Sequence, residues 1–66
     1  MESDKVTWAR RKIETAIEQN GPYSHNICSM ALMAVAEAEG KEAANRLIEE
    51  YGLDALYQIR KVEVTP

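Results

Sequence analysis

Residues 25–39 read HNICSMALMAVAEAE, and the fold turns on how this stretch is interpreted. If it advances about 100° per residue, as a helix does, Ile27, Cys28, Met30, Ala31, Leu32, Met33, Ala34, Val35, Ala36 and Ala38 leave almost no polar side before Glu37. A helix that is apolar all round is a buried helix. The stretch is too short to be a membrane span, which needs about 18 to 20 apolar residues. It is therefore read as a helix covered by the rest of the chain or by another chain.

The residues on either side fit that reading. Ser24 stands where an N-cap belongs, and Pro22 stops an earlier helix from running on. Asn20-Gly21-Pro22, Gly40 and Gly52 punctuate the sequence, and each glycine suits the left-handed residue that closes many helices. They divide the chain into four segments. The first, 4–19, has Ser3 or Asp4 as its cap and a narrow apolar stripe of Val6, Ala9, Ile13, Ala16 and Ile17. The third, 41–51, places Ala43, Ala44, Leu47, Ile48 and Tyr51 on one face, opposite Glu42, Asn45, Arg46, Glu49 and Glu50. A short fourth segment over 54–60 has Asp54 as its cap and Leu56, Tyr57 and Ile59 as apolar contributors. Val62-Glu63-Val64 alternates like a strand, but three residues pair stably only where another element offers an edge. The predicted fold is all-α: one small domain over 1–66, with three to four short helices around helix 25–39 and flexible tails at 1–3 and 62–66.

Size makes a partner the expected complement. A chain of 66 residues buries only about 60% of the surface it exposes when unfolded, and such domains often lean on a disulfide, a metal or an oligomer. Cys28 is the only cysteine, so an internal disulfide is excluded. The lone thiol fits a reducing compartment. The flanking segments offer modest, alanine-rich stripes that cover three sides of helix 25–39 at best. A two-fold partner is the commonest way to bury the remainder. A homo-oligomer, with a dimer favoured, is expected through Ile27, Met30, Ala31, Ala34 and Val35. Alanine buries little area, permits close helix approach and is tolerated in water, which tempers the inference.

Charge and targeting narrow the classes further. Eight basic and eleven acidic residues give a net charge of −3, with a pI near 5.0. Dedicated nucleic-acid binders of this size are usually basic. At 45% hydrophobic, the chain is too apolar to be disordered. The opening MESDKVTW has no basic n-region leading into an apolar h-region, and a cytoplasmic location without membrane contact is expected.

No arrangement with catalytic spacing is present: there is no phosphate loop, metalloprotease helix, Rossmann fingerprint or nucleophile elbow. Ser24 and His25 are adjacent, so with Glu42 they do not form a sensible triad. His25-x-x-Cys28, with Met30 and Met33 nearby, has the donor types for a soft metal. A closed zinc site wants four ligands, however, and these residues serve more simply as core fillers and a polar helix mouth. No cofactor and no metal are expected. Tyr23, Tyr51 and Tyr57 read as core-edge residues with their hydroxyls in water. A helix-turn-helix about Gly40 would use 41–51 as its recognition helix, and Glu42, Glu49 and Glu50 there would meet phosphate with repulsion.

One surface stands out. Lys5, Trp8, Arg11, Lys12, Thr15 and Gln19 share a sector of roughly 120° on the first helix, away from its apolar stripe, with Glu14 and Glu18 to one edge. Tryptophan with arginine is the composition of binding hot spots, and also of stacking beside phosphate-binding cations. Lys5, Trp8, Arg11 and Lys12 are the candidate partner-binding surface. The functional expectation is a non-catalytic helical protein acting through protein–protein interaction, an accessory, inhibitor or adaptor of bacterial or phage type. The alternative is a small transcriptional or nucleic-acid-associated regulator using the same basic, aromatic face.

Overall fold

A computed structural model describes residues 2–59 of the chain. Among these residues it is all-helical: α1 spans Asp4–Gln19, α2 Ser24–Glu39, α3 Lys41–Tyr51 and α4 Leu53–Tyr57. Among the described residues no helix is long and apolar enough to cross a membrane. The expected boundaries of the first three segments hold to within a residue. The fourth starts and ends earlier: Leu53 joins the helix and is its one buried residue, Asp54 lies inside it and is not its cap, and Gln58 turns left-handed straight after Tyr57. Leu56, expected as an apolar contributor, is 54% exposed instead. Residue 60 and the strand-like 62–64 lie outside the described residues.

Local chemistry explains where α1 begins and ends. The Ser3 hydroxyl accepts a hydrogen bond from the Val6 amide at 3.2 Å, capping the helix as expected. Glu2 accepts from Thr7 Oγ1 at 3.1 Å and pairs with Arg10 at 2.6 Å. Within the tail expected over 1–3, the side chains of Glu2 and Ser3 are thus tied to α1. At the other end Asn20, and not Gly21, takes the left-handed conformation, at φ 46° and ψ 45°. Asparagine tolerates that region because its short polar side chain bonds locally.

Ser24 requires a correction. Expected as the cap of α2, it is instead the first residue within that helix, and no side chain caps the helix start at Tyr23. Only 3% of Ser24 is exposed, and its hydroxyl donates to the Ala16 carbonyl at 2.8 Å. The same carbonyl accepts the Asn20 amide at 2.8 Å. The last turn of α1 is thus held to the first turn of α2, and a short connection between packed helices makes an antiparallel hairpin.

The core forms from the stripes read in the sequence. Ala9, Ile13 and Ala16 of α1 meet Cys28, Ala31, Leu32 and Val35 of α2, with Ala44, Leu47 and Ile48 of α3 and Leu53 closing the cluster. α2 packs against α1 and against α3, and α4 packs on α3. Every side-chain nitrogen or oxygen buried among the described residues has a hydrogen-bond partner.

Gly40 joins α2 to α3 at φ 98° and ψ 162°, a region essentially closed to residues with a Cβ. A Cβ there would meet no atom within 4 Å, so the cost of substitution is purely conformational. Gly40→Ala is expected to lower stability by about 1–3 kcal/mol. Gly21 is equally open but outside the left-handed region, so Gly21→Ala should be neutral or stabilise by about 0.4–1 kcal/mol. Urea midpoints of the pair check the assignment, and equal losses would contradict it.

Candidate interaction surfaces

The two faces of α2 differ sharply. Ser24, Cys28, Ala31 and Val35, spaced 4, 3, 4 along the chain, are buried. Asn26, Met30, Met33 and Glu37 repeat that spacing two residues on, about 200° around the helix, and all four are exposed. Met30 is 53% and Met33 65% exposed. Large exposed apolar side chains in contiguity are informative where scattered ones are not, and methionine is favoured at adaptable binding surfaces.

Beside this ridge lies an open groove of about 220 Å³ between α2 and α3. Its lining is apolar apart from Ser29: Leu32, Met33, Ala36, Ala44, Ile48 and Ile59. Met33 belongs to both the ridge and the groove.

The residues expected at a self-interface divide accordingly. Met30 is exposed, and Ile27 and Ala34 are half-buried on its flank. Ala31 and Val35 are fully enclosed by the chain's own core, so they are not available to a partner. Of the three residues read as core fillers only Cys28 is one; Met30 and Met33 are exposed, and Met33 joins the expected set. Its spacing of three residues from Met30 was the signal that the two share a face.

The α1 surface is also on the outside, with one qualification. Lys5, Arg11 and Lys12 are exposed. Trp8 is half-buried and packs against the core cluster, and the Lys5 ammonium lies 4.9 Å from the centre of its ring. The ring face attracts the ammonium electrostatically.

Arg10, next along α1, is unremarked by any pattern in the sequence, yet it organises a polar network. Its guanidinium pairs with Glu2 and with both carboxylate oxygens of Glu50 on α3. It also reaches the Tyr51 hydroxyl at 3.3 Å. That hydroxyl donates to Glu14 at 2.5 Å, so Tyr51 does not simply point into water as expected. The network straps α1 to the end of α3, over partners about forty positions apart, which no local pattern reveals. Next to it an open polar cleft of about 380 Å³ is lined by Glu39, Glu42 and Arg46 among others.

His25 is exposed whereas Cys28 is enclosed, so the two donor side chains do not face one ligand. Among the described residues no three His, Cys, Asp or Glu side chains cluster as metal ligands. Burial pushes the Cys28 thiol above its ordinary value of 9.0. Burial, then the bond to Glu14, pushes the Tyr51 phenol above 10.0. Both are acids held neutral by the fold. Their contribution to stability is fully present below those ordinary values and is lost as pH rises through the raised ones. Stability should fall as pH climbs beyond about 9, with Cys28 reacting with a thiol reagent only as the protein opens. Rapid labelling of the native protein at neutral pH would contradict the enclosed position.

No protein-family model, curated protein or solved structure matches the chain.

Proposed function

We propose that this chain is a non-catalytic interaction protein, working as an accessory, inhibitor or adaptor, and that it acts as a homodimer. In this reading α2 is the central apolar helix: its inner face builds the domain and its outer face joins a second copy. The observation that carries the proposal is the exposed Met30–Met33 ridge beside an apolar groove. Lys5, Trp8, Arg11 and Lys12 remain outside that contact and form the surface for another, acidic protein. No carboxylate among the described residues pairs with Arg11 or Lys12, which leaves their charge available to a partner.

Dilution calorimetry tests self-association. The native protein is expected to give a heat of dissociation that Met33→Glu abolishes, since a carboxylate on the ridge would be desolvated on association. Equal behaviour of the two proteins would refute the assignment. Two chains of net charge −3 repel one another, so added salt should strengthen the dimer.

The competing reading, a nucleic-acid-associated regulator, draws on the same exposed Lys5, Arg11 and Lys12. It requires affinity for DNA or RNA that falls steeply with salt, so the absence of any gel retardation of mixed DNA and RNA at low salt would remove it. Because Trp8 leans on the core, Arg11→Glu with Lys12→Glu is a cleaner probe of this surface than removing the tryptophan.

A further inference from the structure

The outer ridge of α2 carries more information than its apolarity: given self-association through this face, on which the inference rests, it also selects a direction of pairing. Asn26, Met30, Met33 and Glu37 follow the 4, 3, 4 spacing of a two-helix seam, and every one of them is exposed in the single chain. The seam is apolar in the middle and polar at its ends, with an amide at one end and a carboxylate at the other.

A two-fold axis allows two ways of pairing such a seam. In a parallel pair each residue meets its own copy, which sets Glu37 against Glu37 of the second chain, a like-charge contact. In an antiparallel pair with the axis between Met30 and Met33, residue i meets j while j meets i. Met30 then faces Met33 of the second copy, and Asn26 faces Glu37. The amide N–H donates to the carboxylate at both ends of the seam, and the methionines fill the centre.

The helix ends favour the same choice. α2 begins with no side-chain cap and with no acidic residue in its first turn. The Ser24 amide donates to the Gly21 carbonyl at 3.1 Å, and the positive end of the helix favours a nearby anion. Antiparallel pairing brings Glu37 of the second copy beside that turn. Ser29, Ala34 and Ala36, flanking the ridge, are small enough to let the helices approach closely.

We infer that the second copy docks antiparallel on the outer face of α2, with Asn26 of each chain against Glu37 of the other.

Cysteine cross-linking in the full chain, with the enclosed native Cys28 left in place, separates the possibilities. Asn26→Cys and Glu37→Cys are prepared separately, then mixed and oxidised mildly above the association range. In the inferred arrangement like positions lie eleven residues apart along the axis, about 16 Å at the helical rise. That is far beyond the roughly 7 Å a disulfide can span. Each variant alone is therefore expected to stay uncross-linked, and the mixture to yield a covalent dimer holding one of each. Cross-linking of either variant with itself would overturn the antiparallel register while leaving self-association standing. A dimer by mass with no cross-link in any sample would overturn the choice of this face. A monomer by mass would remove the self-association on which the inference rests.

Discussion

Ser24→Asp is expected to destabilise the protein by about 3 kcal/mol or more, because it leaves a buried charge uncompensated. At an N-cap, aspartate and serine are nearly equivalent, so this substitution separates the position's two possible roles. In the structure Ser24 donates to the Ala16 carbonyl at 2.8 Å from a site that is only 3% exposed. An ionised carboxylate has no proton to donate and would oppose that carbonyl oxygen directly. Protonation restores a donor, so the loss should shrink as pH is lowered toward the carboxyl's own titration. Ser24→Ala, which removes the donor without adding charge, should cost about 1 kcal/mol, since Asn20 still supplies a proton to Ala16. Urea denaturation of the three proteins at neutral and acidic pH checks this. A stable Ser24→Asp at neutral pH would return Ser24 to the role of a cap.

Ile13→Ala should be comparably damaging. Ile13 is among the largest side chains wholly enclosed in the core, and truncations of this kind cost about 2–5 kcal/mol, more where the cavity cannot collapse. At roughly 0.05–0.15 kcal/mol per residue, a chain of this length has a total stability of only about 3–10 kcal/mol. The loss is therefore a large fraction of the total stability, read as a lowered urea midpoint of the helical circular dichroism. Met33→Ser, on the outer ridge, should leave the helical signal of the dilute protein within about 0.5 kcal/mol of native stability. A loss from Met33→Ser as large as that from Ile13→Ala would mean that the outer face of α2 is not exposed.

The fold was legible where the sequence carries strong local signals. Asn20-Gly21-Pro22, Gly40 and Gly52 separate segments whose apolar stripes in α1 and α3 have one evident face, and Ala9, Ile13, Ala44 and Leu47 are buried as those stripes require. α2 was legible as a helix but not in its orientation. Alanine and methionine on every side give no gradient, so Ala31 and Val35 look as available to a partner as Met30. The direction is set by α1 and α3, which enclose one seam and leave the other exposed. Ser24 is ambiguous in sequence because capping and clasping both call on a serine before an apolar run; only the Ala16 carbonyl across the turn distinguishes them. Arg10 gives no local signal for a similar reason: Glu50 and Tyr51, which give it meaning, are distant in sequence.

Self-association through α2 is the central claim, and sedimentation equilibrium of the unmodified chain over a wide concentration range tests it most directly. The weight-average mass is expected to rise with concentration from 7.4 kDa toward twice that value and to level off there. Met33→Glu should stay at the monomer mass throughout. A native chain that holds 7.4 kDa from micromolar to millimolar concentration would contradict the claim.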